Sequence, residues 1–77
     1  MAFVFENYLD QKLFGAEKGK VKSALCRSLN LKPIETPEHI TRVLFTRGLP
    51  YKVIAGKETE GEHKNEIYMI IQSAEEK

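Results

Sequence analysis

The hydrophobic spacing of this chain changes abruptly after Leu49-Pro50, from a helical to an extended pattern. Before this point apolar residues recur every three or four positions. After it, two runs rich in β-branched and aromatic residues, 51–55 and 66–72, flank a polar loop over 56–65. A chain of 77 residues is too short to form two cores. We therefore predict a single α+β domain over residues 1–77, with three helices followed by an antiparallel β-hairpin.

The second predicted strand is apolar on both faces. Ile67, Met69 and Ile71 alternate with Tyr68 and Ile70, and side chains alternate between the two faces of a strand. A two-stranded ribbon cannot bury both faces by itself. One face is expected to pack on the helices, and the other needs a third strand or a second subunit. Tyr68 and Ile70 are accordingly predicted to form a protein interface, either with a partner protein or in a homodimer through the hairpin.

The third helix has the clearest local signature. Thr36 can cap it, Pro37 suits the first helical position, and Glu38 places a negative charge at the positive end of the helix dipole. Apolar positions then share one face, and Gly48 is a typical residue with which to end a helix. The pattern predicts a helix between Thr36 and Gly48.

Two earlier segments also have helical spacing. Residues 5–14 carry apolar side chains at helical intervals and are followed by Gly15, which predicts a first helix. A short third strand over residues 2–5 is the alternative, and spacing leaves both open. Residues 18–29 predict a second, amphipathic helix that ends before Pro33, with a basic outer surface.

These assignments predict a core drawn from every element. It comprises Leu9, Leu13, Val21, Leu25, Leu29, Ile40, Val43, Leu44, Val53, Ile67, Met69 and Ile71. Cys26 is the only cysteine, which rules out an intramolecular disulfide and favours a reducing compartment. It lies off the apolar face of the second helix and is predicted to be a surface thiol. The first residues lack the basic start and long apolar run of a secretory signal, so we expect a cytoplasmic protein.

Charge is unevenly distributed along the chain. Residues 11–57 hold ten Lys and Arg against three acids, whereas residues 58–77 hold six Glu against two Lys. The net formal charge of +1 therefore conceals a basic body with an acidic end. A basic body attracts polyanions, and an acidic tail repels them.

The order of three helices and a hairpin with a long polar loop is that of a winged helix, in which a helix-turn-helix contacts nucleic acid. On this interpretation, basic residues of the second helix contact phosphates and the third helix approaches bases. The predicted nucleic-acid-binding residues are Lys18, Lys20, Lys22, Arg27, Arg42 and Thr46. Two features argue against it: the hairpin loop carries three acids against two lysines, and the linker over 30–35 is longer than the usual turn.

No set of residues typical of catalysis stands out. His39, His63 and Cys26 are too dispersed for a zinc site, and the glutamates after Lys57 read as a solvated charge run. We therefore expect a non-enzymatic protein without cofactor or metal, most simply a small regulator that binds nucleic acid, of the winged-helix DNA-binding kind. The alternative is a protein-interaction module, such as an inhibitor or adaptor of a larger enzyme.

Overall fold

A computed structural model describes residues 3–74. Within them the chain forms a short 3-10 helix (Phe5–Tyr8), two α-helices (α1, Gly15–Ser28; α2, Pro37–Thr46) and two strands (β1, Tyr51–Lys57; β2, Ile67–Ser73). The strands form an antiparallel hairpin. The predicted α+β class and hairpin are confirmed.

The first predicted helix is wrong. Residues 5–8 make a single 3-10 turn, and Asp10 then adopts a left-handed backbone conformation (φ 61°) that ends any helix. The chain continues beside β2 through isolated bridges, Leu9 to Ile71 and Leu13 to Met69. The Leu13 amide donates to the Met69 carbonyl at 3.0 Å, and the Met69 amide donates back to Leu13 at 3.1 Å.

Consequently the described residues contain two α-helices, not three, and the winged-helix order is not confirmed. The alternative was a strand over residues 2–5, of which the structure describes residues 3–5, and these three residues form no strand. The segment that bridges β2 lies later in the chain, over 9–13. Gly15 does not end a helix; it is the first residue of α1, with a φ of 53°.

Local signals account for both α-helices. In α2, the Thr36 side chain accepts a hydrogen bond from the His39 amide at 3.2 Å, and Gly48 has a φ of 76°, as expected from the capping pattern. Helix α1 ends at Ser28, five residues before Pro33, at a different signal. Asn30 is left-handed (φ 61°), and the Leu31 amide donates to the Cys26 carbonyl at 2.8 Å.

The two α-helices pack on one face of the sheet. Two hydrogen bonds of Thr41 join α2 to β1. The Thr41 hydroxyl donates to the Val53 carbonyl (3.1 Å) and accepts from the Val53 amide (2.9 Å). The guanidinium of Arg47 donates to the Leu29 carbonyl at 2.8 Å and so joins the ends of the two helices. Neither helix within residues 3–74 has the length and apolarity needed to cross a bilayer.

The core confirms most of the predicted set, with three differences. The prediction for Ile67 is wrong, since half of its surface is exposed. Leu9 and Val43 are only partly buried, at the edge of the core. Cys26 is fully buried, so the predicted surface thiol is also wrong. Burial raises the pKa of the Cys26 thiol, with Lys22 acting in the opposite direction. The buried cluster consists of Leu13, Val21, Leu25, Cys26, Leu29, Ile40, Leu44, Val53, Met69 and Ile71.

Candidate nucleic-acid interface

The four predicted cations of α1 lie on two different flanks of that helix. Lys20 and Arg27 are seven residues apart, which is two helical turns, and therefore lie on the same side about 10.5 Å apart along the axis. Lys18 and Lys22 lie on the side that faces β2. We call the first side the groove flank and the second side the sheet flank.

The groove flank borders two adjoining surface grooves, of about 560 and 500 Å³. Lys20 lines the first groove and Arg27 lines the second. The grooves share Tyr8 and Ala24, so they adjoin each other between α1 and residues 3–8, and we call the two together the depression. The remaining lining residues are Phe3, Val4, Asn7, Ala16, Glu17, Val21 and Ser28.

Aromatic rings form one wall of this depression. The rings of Phe3 and Tyr8 stack with centroids 5.5 Å apart and an interplanar angle of 17°. Phe5 contacts Phe3 edge to face and stacks on Tyr51 of β1 at 4.3 Å, which anchors the ring cluster to the sheet. The sequence pattern predicted a helix or a strand for these residues and did not indicate a site. Their density within six residues was the only available signal.

The cations of the groove flank have no acidic partner within the described part of the chain. Lys20 and Arg27 are exposed, and neither takes part in a salt bridge there. Glu17, the single acid lining the grooves, is also exposed. The depression therefore combines two cations that form no salt bridge within residues 3–74 with stacked rings, and proteins that bind single-stranded nucleic acid use both elements.

The cations of the sheet flank are more constrained. The ammonium group of Lys18 donates to the Ile67 carbonyl at 3.1 Å, so it helps to hold α1 against β2. Lys18 and Lys22 are both half-buried and line a smaller cleft of about 200 Å³ with Pro37, Ala55, Ile67, Tyr68 and Met69. These lysines therefore contribute to packing, whatever else they bind.

The two predicted residues of α2 line neither groove. The Thr46 hydroxyl donates to the Arg42 carbonyl of its own helix at 2.8 Å. Arg42 is exposed on the outer side of α2. The fold thus brings Lys20 and Arg27 together at the grooves and leaves Lys18, Lys22, Arg42 and Thr46 outside them.

Tyr68 and Ile70, predicted as a protein interface, lie on the sheet face opposite the helices. Ile70 is only 9% exposed. The Tyr68 ring lies over Gly56, where an added Cβ would sit 2.6 Å from the tyrosine oxygen. Lys12 covers the ring, with its ammonium nitrogen 4.9 Å from the ring centroid. Little of either side chain is therefore available to a partner.

Charged groups at the base of the hairpin loop are locally paired. Lys12 forms a salt bridge with Glu58 at 3.1 Å, and the hydrogen bond from Lys12 lowers the pKa of the Glu58 carboxyl. The His63 ring stacks on Phe14 with centroids 4.1 Å apart, and its Nδ1 lies 3.2 Å from a Glu66 oxygen. Across residues 3–74, His, Cys, Asp and Glu do not gather in a group of three that could hold a metal ion.

Comparisons of the chain with protein-family models, with curated proteins and with solved structures gave no match.

Proposed function

We propose that this protein is a small non-enzymatic regulator that binds single-stranded nucleic acid along the groove flank of α1. The observation that carries the proposal is the pair of adjoining grooves lined by Lys20 and Arg27 of α1 and by the stacked rings of Phe3 and Tyr8. Unpaired cations neutralise phosphates, and this sequence-independent attraction supplies most of the affinity of such proteins.

The spacing of the two cations suits an extended backbone. Lys20 and Arg27 are separated by about 10.5 Å along the helix axis, while a fully extended chain of nucleotides places successive phosphates closer than this. The two side chains would therefore hold phosphates that are not adjacent. The nucleotide between them would lie over Ala24, which lines both grooves.

The stacked rings favour single strands over duplex. A base can stack on a tyrosine face only when it is free of its own helical stack, and such stacking is sequence-tolerant. Tyr8 lines both grooves, and because Phe3 stacks on one face of its ring, a base would stack on the opposite face. Duplex binding of the winged-helix kind would instead require Arg42 and Thr46 to approach bases, and the Thr46 hydroxyl is bonded to its own helix.

The test is fluorescence anisotropy of labelled single-stranded RNA, single-stranded DNA and duplex DNA, from about 50 to 200 mM salt. We expect the single strands to bind more tightly than the duplex and to weaken as salt rises. The Lys20→Glu/Arg27→Glu variant should lose at least about tenfold in affinity and show a smaller salt slope, by roughly 1.4, because two phosphate contacts disappear.

The matched control is Lys57→Glu/Lys64→Glu, which makes the same change in net charge at two exposed hairpin residues that line neither groove. An equal loss of affinity in this control would mean that overall charge, not the grooves, drives binding. Tyr8→Leu keeps apolar packing and removes the aromatic face; unchanged affinity in that variant would contradict the stacking role. Absence of binding by the native protein at the lowest salt would favour a protein-interaction module instead.

A further inference from the structure

The groove flank of α1 carries one acid beside its two cations. Glu17 lines the first groove together with Lys20 and Tyr8, and it is the single acid that lines either groove. Glu17 is exposed and forms no salt bridge within residues 3–74, although Lys20 follows it by one helical turn. A carboxylate repels phosphates, so in a groove for nucleic acid it can bind only a ligand group that donates hydrogen bonds.

The first groove offers two apolar surfaces to a planar base. One is the ring of Tyr8, and Phe3, which stacks on that ring, lines the second groove but not the first. The face of Tyr8 that Phe3 leaves free is therefore available to a base in the first groove. The other surface consists of the apolar residues that α1 contributes, namely Ala16, Val21 and Ala24. A base between these surfaces keeps its polar edge free to meet Glu17.

We propose that the first groove selects guanine, and that the Glu17 carboxylate is the group that recognises the base. Guanine carries two adjacent donors on its Watson–Crick edge, the N1–H and the 2-amino group, and the two oxygens of a carboxylate can accept from both. Hydrogen bonds that are bidentate and assisted by charge are stronger and more directional than neutral ones. Bases of a single strand present this edge to side chains, because they are not paired.

The other bases match a carboxylate less well. Adenine and cytosine place an acceptor nitrogen beside their one amino group, and uracil and thymine flank a single N–H with two carbonyl oxygens. Each of these bases would bring a lone pair towards an oxygen of Glu17, so it would both lose a hydrogen bond and be repelled. The selection of guanine therefore has an attractive and a repulsive component.

Lys20 supplies the positive charge that the same nucleotide needs. It follows Glu17 by three residues, a rise of about 4.5 Å along the helix axis, and both side chains line the first groove. The ammonium group of Lys20 can neutralise a phosphate of the bound strand while the carboxylate of Glu17 accepts hydrogen bonds from the base. Guanine selection rests on the single-strand binding proposed above and adds a base preference to it.

The test is fluorescence anisotropy at low salt with oligothymidine strands that carry a single central guanine, adenine or cytosine, and with oligouridine RNA that carries the same central bases. A single guanine avoids the self-association of guanine-rich strands. We expect the guanine strands to bind about tenfold more tightly than the others in both DNA and RNA, as one bidentate contact would give. Hypoxanthine, which keeps the N1–H of guanine and lacks the amino group, should lose part of this preference.

Glu17→Gln should change the affinities for different strands in different directions. The amide keeps the size of the side chain but offers one acceptor oxygen, so affinity for the guanine strand should fall by about tenfold. Affinity for the adenine and cytosine strands should stay constant or rise, because the repulsion of phosphates is removed. Glu38→Gln is the matched control. It removes an exposed acid from the first turn of α2, outside both grooves, and should leave the guanine preference unchanged.

The possible outcomes distinguish guanine selection from the binding on which it rests. Equal affinity for all central bases would overturn guanine selection and leave single-strand binding intact. A guanine preference that survives in Glu17→Gln, or that is lost equally in Glu38→Gln, would also overturn it. A preference for RNA over DNA that ignores the base would assign Glu17 to a ribose hydroxyl and overturn it as well. Absence of binding by every strand would overturn both proposals.

Discussion

The two flanks of α1 carry the same residue type with different consequences. On the groove flank, Lys20 and Arg27 are exposed beside an open depression; on the sheet flank, Lys18 and Lys22 are half-buried against the hairpin. The sheet flank also includes the fully buried Cys26. The basic residues of α1 therefore do not form a single surface. Cations on one side are available to a ligand, while those on the other side are partly used to join the helix to the sheet.

This difference comes from what lies next to each flank. Beside the sheet flank is the edge of β2, where the Ile67 carbonyl accepts a hydrogen bond from Lys18. Beside the groove flank is the amino-terminal segment, which contacts β2 through Leu9 and Leu13 and leaves a gap along α1.

The largest expected effect concerns the interior of the sheet flank. Cys26→Ser should lower the free energy of unfolding by about 1–3 kcal/mol, because a hydroxyl would be buried where the thiol now packs against apolar residues. Ala24→Ser, two residues away on the exposed groove flank, should change it by no more than about 0.5 kcal/mol. Urea denaturation measures the unfolding free energy of both variants. Equal losses in the two variants would show that the two flanks do not differ in burial.

Filling the groove should impair binding without unfolding the protein. Ala24→Leu places a branched side chain at the point that the two grooves share. We expect affinity for single-stranded nucleic acid to fall by about tenfold, which corresponds to 1.4 kcal/mol, with unchanged thermal stability. Anisotropy and a melting curve on the same sample measure both quantities. Full affinity in this variant would place the ligand elsewhere on the protein.

Removing one charge from each flank should have smaller effects, on stability for the sheet flank and on binding for the groove flank. Lys18→Gln shortens the reach towards the Ile67 carbonyl, and we expect a loss of about 0.5–1.5 kcal/mol in unfolding free energy, the usual net contribution of one hydrogen bond. Lys20→Gln, which has no such partner within residues 3–74, should leave stability unchanged and weaken nucleic-acid binding. A stability loss in Lys20→Gln equal to that in Lys18→Gln would contradict the assignment.

The smallest expected effect is a dependence of stability on alkaline pH. Burial raises the pKa of Cys26 above its ordinary value of 9.0, so the folded state retains a proton that the unfolded state releases. This contribution is complete below about pH 9 and is lost as pH rises towards the higher folded pKa. Comparing native protein with Cys26→Ala by denaturation at neutral and alkaline pH should show a flatter profile for the variant. Parallel profiles would mean that the thiol is not buried in solution.

The sequence predicted helix α2 and the hairpin because their signals are local. Thr36, Pro37 and Gly48 act through the backbone of their own helix, so neighbouring elements hardly alter them. The strands were likewise marked by β-branched residues and by a polar loop between them. Their faces followed from the alternation of side chains, and this correctly placed Val53, Met69 and Ile71 in the core.

The candidate site was only partly predictable. Lys20 and Arg27 were identified by their charge, but so were Lys18 and Lys22. Spacing alone did not predict which flank of α1 the hairpin would cover. Tyr8 was missed because residues 5–14 satisfied a helical spacing that the left-handed Asp10 interrupts. Aspartate is one of the few residues that tolerate a left-handed conformation. The neighbouring sequence did not indicate that Asp10 would adopt one.

By itself, the sequence determined the class of the domain, the limits of α2, the two strands and most of the core. Local dihedral preferences and periodicity fix which residues share a face of an element. Only the tertiary structure decided what covers each face: the burial of Cys26, the exposure of Ile67 and the separation of the α1 cations into two flanks. Burial depends on contacts between residues far apart in the chain, such as Leu13 with Met69 and Lys18 with Ile67, and these contacts leave no local pattern.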